Sequence, residues 1–593
     1  MKKRVADIVF ETLIEEGINT CFSVVGGGAM HLNNAMAINK DLKLFFNHHE
    51  QASAMAAEAY ARYIGKPAIV CVTSGPGATN AITGVMGAWV DSIPMIVISG
   101  NVRYATSVEE TGLSLRYRGL QEFDIINSVH NMTKYAKKII DPKTIKEEVR
   151  RAINIAMSGR RGPVWLDIPQ DVQSTFVEEK NLTIFQESEY ENKGIDKEIE
   201  LIIESIKEAE RPCILIGTGI AAAHAHTAFL EFSKKVKIPI VGGAWFADAL
   251  HNRHDMFYGL SGNVGPRTGN YIIQNSDCIL VLGNSLSYRQ TGYDIDDFAS
   301  KARIIMVDAD ENEYLKIKEK IDTFVQIELN EFFKHMNMVK GLKMQASQRW
   351  LNYCEKLKAK FSAYEGAVNI SMEDRVNKYY FFKCFNELSP QNLTIALGNS
   401  QVGLAMNQVG REYEEQRVIS NYICGSMGYD LPAAIGAAVA SRQQTICITG
   451  DGSVMMNLQE LQTIIGYKLP IKIVVFENNG YGAIKQTCNN FFEGISCGCC
   501  PDTGVSFPDF SKIADSFGYD YNICKNNAEV KEKIEWLFAN DKTTFLEVKQ
   551  SYNDPVVPKL ISKLDKDGKM SSPKLYDMFP FVSDEDMRWI MNP

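Results

Sequence analysis

Asp451 and Asn478 stand twenty-seven residues apart, each after an apolar, β-rich run: QQTICIT before Gly450-Asp451-Gly452-Ser453, and IKIVVFE before Asn478. Such runs predict neighbouring buried strands of a parallel sheet. Both side chains then sit at strand carboxyl ends, where open α/β sheets bind ligands. A carboxylate, an amide oxygen and the nearby Gly480 carbonyl are hard oxygen donors suited to Mg²⁺, with phosphate oxygens completing an octahedron. Gly452 lets the backbone approach a diphosphate, and Ser453 can donate to it while opening the next helix. Tyr481 closes this stretch and joins the candidate set. A lone Gly-Asp-Gly is common as a plain βα turn; the asparagine at this distance, itself after a strand, is what makes the pair specific.

The βα pattern that must hold these residues repeats three times, predicting three doubly wound parallel sheets in an α/β chain. In residues 1–180, runs such as KPAIVCVTSG and SIPMIVISGN alternate with helical stretches such as HEQASAMAAEAYARYIG. Residues 181–196 are polar and acidic and read as a linker. A second unit over 190–340 carries PCILIGTG, DCILVLGN and ARIIMVDAD, and a charged helical connector fills 341–365. The third unit, 366–552, opens at TIALGNS, holds the Asp451–Asn478 pair and ends at TTFLEVK. The tail, 553–593, lacks a sheet pattern. It reads as a lid, a wrap around a neighbouring subunit, or a loosely ordered extension.

At 593 residues the chain is too long for one core. Hydrophobic content of 45% and charged content of 23% describe an ordinary globular protein. A net charge of −9 and a pI near 5.7, with no basic stripe, argue against a nucleic-acid or anionic-membrane partner. The opening MKKRVADIVFETLIEEG is interrupted by Asp7, Glu11, Glu15 and Glu16, so it reads as an amphipathic helix and not a signal peptide. No run approaches the ~18 apolar residues of a membrane span. Most of the thirteen cysteines lie in apolar runs, as core residues of a reducing cytoplasm do. Cys488, Cys497, Cys499 and Cys500 around GISCGCCPD lack the paired spacing of a zinc knuckle and read as exposed loop thiols.

The Gly-Asp-Gly…Asn spacing resembles the thiamine-diphosphate signature. The resemblance covers nearly the whole chain and is closest to the acetolactate-synthase-like branch of the thiamine-diphosphate decarboxylase and carboligase superfamily. That branch runs pyrimidine-binding, central, then diphosphate-binding domain. HHEQASAMAAEAYAR looks like its HEQ segment and places Glu50 after the strand LKLFFNHH, where the resemblance implies a carboxyl group that activates the aminopyrimidine. Alone, a Glu at a helix start is often an ordinary complement to the dipole. TSGPGATN resembles the Gly-Pro-Gly loop, with Gly77 packed close to the pyrimidine. GSMGYDLPAAIGAA resembles the segment that bends the cofactor, Gly425 offering a carbonyl and Met427 wedging under the thiazolium; an unbranched, polarizable side chain suits that place. Gly398, Asn399 and Ser400 stand at the second diphosphate cradle but differ from the branch's usual Gly-Gln-His-Gln. Gln121 in LQEFD matches a segment facing substrate. His31, after VVGGGAM, either lines the mouth or is structural.

Two departures from the branch bear on substrate. Ser285 in GNSLSYRQTG stands where the family has an arginine resembling a carboxylate clamp, and Thr487 stands where a tryptophan limits the acceptor pocket. Together they imply an acceptor larger than a second 2-oxo acid, such as a keto-sugar. The expected activity is therefore decarboxylation of a 2-oxo acid, pyruvate foremost, with transfer of the activated aldehyde unit to a carbonyl acceptor. Genuine acetolactate synthesis, hydrolysis of a C–C bond in a cyclic dione, and a non-catalytic cofactor-binding homologue stay open as alternatives. In the central unit, Arg289-Gln-Thr-Gly and GLSGNVG resemble flavin-binding segments, yet the same sheet occurs in relatives without flavin, so FAD stays open. Asp308 and Asp310 either meet an adenosine ribose or end a strand. The superfamily also implies a homodimer or homotetramer whose sites form between subunits, Glu50 of one chain meeting Asp451 of another.

Overall fold

The computed structural model describes residues 2–186, 194–552, 554–561, 563–564, 570–571 and 573–593. The expected linker at 181–196 falls in part on residues 187–193, outside that set. The chain divides into two compact units: Met1–Asn192 with Ile419–Arg442 and Val454–Ile471, and Lys193–Val418 with Gln443–Ser453 and Lys472–Pro593.

The first unit is built on a six-stranded parallel sheet of Thr20–Ser23, Lys43–Phe46, Ile69–Val72, Met95–Asn101, Tyr135–Lys138 and Pro163–Pro169. Numbered along the chain, their spatial order is 2-1-3-4-6-5. The central strands are buried on both faces, which is why they read as unbroken apolar runs. Across one face lies the Ala-rich helix Glu50–Ile64, ended by Gly65 in the left-handed conformation. Its small side chains let helix Asp430–Ser441 approach closely. At Gly436 an added Cβ would fall 2.0 Å from the Ala56 carbonyl oxygen, so only glycine fits there.

The second unit carries two more six-stranded sheets. The sheet that begins at Pro212–Ile216 has the order 3-2-1-4-5-6, that of a dinucleotide-binding fold. The sheet that begins at Thr394–Leu397 repeats the 2-1-3-4-6-5 order of the first unit. Its third and fourth strands, Thr445–Gly450 and Ile471–Glu477, are neighbours, as the motif spacing requires.

The described parts of the tail pack within the second unit. Leu575 and Ile590 complete one core face of the central sheet, beside Trp350 and Tyr353. Arg267, 3% exposed, donates to the carbonyls of Met578 and Pro580 and pairs with Glu365. The thiols differ from expectation. Cys497 is exposed, but Cys499 and Cys500 are buried, because the turn they start folds inward around Thr503, whose Oγ1 accepts both of their N–H groups at 3.0 Å. Among the described residues no group of three or more His, Cys, Asp or Glu is placed to hold a metal.

Candidate active site

The Asp451 carboxylate sits at the mouth of two adjacent parallel strands and is 3% exposed. Oδ1 accepts the Gly452 N–H at 2.8 Å, and Oδ2 accepts those of Asn478 and Gly480, each at 3.1 Å. Burial lifts its carboxyl to about 6, and the three amides oppose the lift. Asn479 turns left-handed (φ 56°), and Gly480 is pressed so close to the Cys499 carbonyl that an added Cβ would lie 2.4 Å from it. That carbonyl also accepts the Tyr481 N–H at 2.8 Å, so the buried cysteine turn supports the loop from behind. Tyr481 begins helix Gly482–Phe491 and meets Phe507 edge-on.

The Asn478 carbonyl oxygen, Oδ1, is buried without a hydrogen-bond partner. Leaving such an acceptor unmade costs about 1–3 kcal/mol, so its presence calls for a ligand. Asp451, Asn478 and the Gly480 carbonyl together fit a hard divalent cation. Beside them, Ser400 caps helix Gln401–Val409 by accepting the Gly403 N–H at 3.1 Å. A Cβ on Gly450 would lie 3.8 Å from that serine's Cβ. Gly398 and Asn399 lead into this cap, while Gly452 and Ser453 lie in helix Asp451–Val454, so two helix N-termini open side by side at adjacent strands. Two positive dipole ends suit a diphosphate.

In the first unit, Glu50 is the first residue of its helix and 9% exposed. Its Oε2 accepts the Asn80 amide at 3.0 Å, and a Cβ on Gly77 would come within 3.2 Å of Oε1, so this glycine makes room for the carboxylate. The turn before Glu50 is pinned by Glu460, fully buried, which accepts from Asn47 Nδ2 at 2.8 Å and the His48 N–H at 3.0 Å. Asn80 and Glu460 were missed by sequence reasoning. Asn80 ends the TSGPGATN motif and could have been found there; Glu460 lies over four hundred residues from its partners, and one sequence carries no signal for that pairing. Met427, half-buried, stands between Gly425 and Gly428, both left-handed (φ 65° and 78°). Gln121 is exposed and also left-handed (φ 61°). Its carbonyl lies against Gly75, where a Cβ would be 2.5 Å away. His31 is half-buried on helix Met30–Ile38; burial, then Arg4 and Arg103, hold its imidazole below the usual range.

The remaining predicted residues stand apart. Ser285 lies half-buried in the loop after strand Cys278–Leu282. Thr487 is exposed and donates back to the Ala483 carbonyl at 3.1 Å. Its neighbour Gln486 instead accepts from Gln401 at 3.1 Å, next to the Ser400 cap. A cavity of about 500 Å³ opens at the ends of strands Met95–Asn101 and Pro163–Pro169, but none of the residues above lines it. In the central sheet, the loops after its first and fourth strands meet backbone to backbone, Gly219 N–H donating to the Gly283 carbonyl at 2.9 Å. Asp308 accepts the Asp310 N–H, and Asp310 caps helix Glu311–Leu315.

Three stretches match family models. Residues 3–127 match the N-terminal TPP binding domain of thiamine pyrophosphate enzymes, 199–336 the central domain, and 397–548 the C-terminal TPP binding domain. The chain belongs to the thiamine pyrophosphate enzyme family. It is 30% identical over 559 residues to a probable acetolactate synthase large subunit of Methanocaldococcus jannaschii, covering 92% of this chain and 91% of that one. To the acetolactate synthase isozyme 2 large subunit of Escherichia coli it is 30% identical over 550 residues, covering 92% and 95%. To the chloroplastic acetolactate synthase of Arabidopsis thaliana it is 27% identical over 579 residues, covering 94% and 83%. The protein is thus a thiamine-diphosphate-dependent enzyme of the acetolactate-synthase type. No helix among the described residues is long and apolar enough to cross a membrane.

Proposed function

We propose that the enzyme decarboxylates pyruvate and joins the remaining two-carbon unit to a second carbonyl compound, with a second pyruvate as acceptor and acetolactate as product. The observation that carries this reading is the Asp451–Asn478–Gly480 mouth with its unpartnered amide oxygen, in a chain alike over nine-tenths of its length to proteins named acetolactate synthase. When bound, thiamine diphosphate with Mg²⁺ supplies the electron sink that lets a 2-oxo acid lose CO₂.

Asp451, Asn478 and the Gly480 carbonyl would hold the metal. Gly452, Ser453 and the Gly398–Ser400 turn would hold the diphosphate, and Tyr481 would close that end of the site. Glu50 holds and releases a proton at its carboxyl group, oriented by Asn80 and given room by Gly77. Gly425 and Met427 would hold the cofactor bent, Met427 as an apolar wedge. Gln121 and His31 would stand toward substrate. We assign these sites to a homodimer at least, Glu50 of one subunit serving with Asp451 of the other, in a cytoplasmic setting.

A second acceptor class is favoured by Ser285 and Thr487. A guanidinium gripping a carboxylate through two hydrogen bonds is worth about 1.5–3 kcal/mol, and serine cannot replace it. A threonine also leaves space that an indole would fill. Mass spectrometry of products from pyruvate alone, and from pyruvate with an aldehyde or keto-sugar, tests both readings. Acetolactate from pyruvate alone is the expected result. A dominant mixed product would transfer the proposal to the larger acceptor, and absence of CO₂ release from any 2-oxo acid would contradict both.

A further inference from the structure

Asn457 lies between helices Asp451–Val454 and Glu460–Gly466 and is 1% exposed. Both N–H groups of its amide donate, and its oxygen accepts. Nδ2 donates to Gln51 Oε1 at 3.1 Å and to the Gly428 carbonyl at 2.7 Å, while Oδ1 accepts from Gln459 at 3.2 Å. Gln51 is the residue after Glu50, and Gly428 is the residue after Met427. One planar amide therefore spans the two segments that carry the carboxyl group and the apolar wedge.

Both anchors are themselves fixed. The Gln51 N–H donates to His49 Nδ1 at 3.0 Å. Gly428 is left-handed, and a Cβ there would fall 2.7 Å from Met456 Cβ and 3.0 Å from Asn457 Nδ2. The backbone is pressed directly onto this amide. A second link runs parallel to the first: Tyr429 donates to Glu58, two turns along the Glu50 helix, and Arg62 joins Glu58 to Asp91. The Tyr429 link fixes helix against helix. Asn457 instead reaches the residues next to Glu50 and Met427.

We propose that Asn457 is a positioning residue of the reaction, fixing within one chain the Glu50 turn and the Met427 segment, each of which serves a site that the partner copy completes. This rests on the roles given to Glu50 and Met427 under the proposed function. The amide presents two N–H groups in one plane at a fixed angle. Aspartate keeps the size but cannot donate, and it would turn a carboxylate toward the Gly428 carbonyl. A misplacement of about 1 Å at a reacting group costs on the order of 10²-fold in rate.

The test uses the full chain loaded with thiamine diphosphate and Mg²⁺, and reads hydrogen–deuterium exchange at the cofactor C2 per bound cofactor, together with kcat and KM for pyruvate. Asn457→Asp is expected to slow exchange and kcat together by about 10²-fold, with little change in KM. Gln51→Ala keeps the Gly428 bond and is expected to give a smaller loss of the same kind; it decides the matter should Asn457→Asp fail to fold. A purely structural role would lower melting temperature and occupancy but leave exchange per bound cofactor at the wild-type rate, and that result overturns the proposal. Wild-type protein and Glu50→Gln serve as references. If wild type shows no exchange above free cofactor, the functional reading falls and this inference with it. If both references behave as expected and exchange is normal in the two variants, the inference alone falls.

Discussion

Asp451, Asn478 and Gly480 stand out by spacing because each follows a strand that is legible by itself, and the ligand set proposed for them needs only residue types at strand ends. Glu50 was legible only through its motif, since a carboxylate at a helix start has an ordinary electrostatic reason to be there. What supports the role proposed for it is its surroundings: Asn80 at 3.0 Å and the space left by Gly77. Replacement by glutamine keeps the size and the Asn80 contact but cannot cycle a proton. Glu50→Gln is expected to retain cofactor binding while turnover falls by roughly 10²–10⁴-fold, the usual worth of a general acid–base group. Steady-state kinetics beside a cofactor-binding isotherm check this; turnover within a factor of about three of wild type would remove Glu50 from the mechanism. Ser285 and Thr487 were legible only as departures. Thr487 faces solvent in the folded chain, and Gln486, which passed without remark in the sequence, is the residue turned toward Gln401.

Elements were read well wherever a strand is buried on both faces, since TICIT or CILVL fits little else. Partly exposed strands such as Lys43–Phe46 were found from their neighbours, and the paired order of the sheets was beyond any single run. The cysteine turn was misjudged because Gly and Cys say nothing of burial; the close approach of Cys499 to Gly480 decides it. Less visible still is the join inside the second unit, where Asp248 accepts from Arg417 at 2.8 Å and the Val418 N–H at 2.8 Å. His226 opens helix His226–Ser233 there, 3.5 Å from Asp248, and burial pushes its pKa from the usual 6.5 down to about 4, with Arg417 and Arg411 opposing the carboxylate's pull. The folded state thus refuses a proton that the unfolded chain accepts. Stability from this group is complete above pH 6.5 and is lost as pH falls from there toward 4, by no more than about 3 kcal/mol, because about a fifth of the side chain meets solvent. Urea unfolding across that range should show His226→Gln with a flatter pH dependence than wild type; identical slopes would contradict the assignment.

For the whole molecule, the triple βα pattern foretold the three six-stranded sheets. The tail was illegible for a physical reason. Its anchoring depends on Leu575 and Ile590 entering a core assembled from residues more than two hundred positions earlier, and on Arg267 waiting for two carbonyls. Glu50 and Asp451 lie in different compact units, and the proposed function assigns them to sites shared between two copies. Sedimentation of the enzyme with cofactor, read for activity across the boundary, should place turnover in a dimer or larger species; an active monomer would refute the assignment of sites to paired subunits. The central claim is that the Asp451 mouth binds thiamine diphosphate through Mg²⁺, and titration calorimetry tests it most directly. Wild-type protein should bind thiamine diphosphate with Mg²⁺ present and lose that binding when the metal is chelated, while Asp451→Ala should show no binding in either condition. Undiminished affinity of Asp451→Ala with Mg²⁺ present would contradict the account.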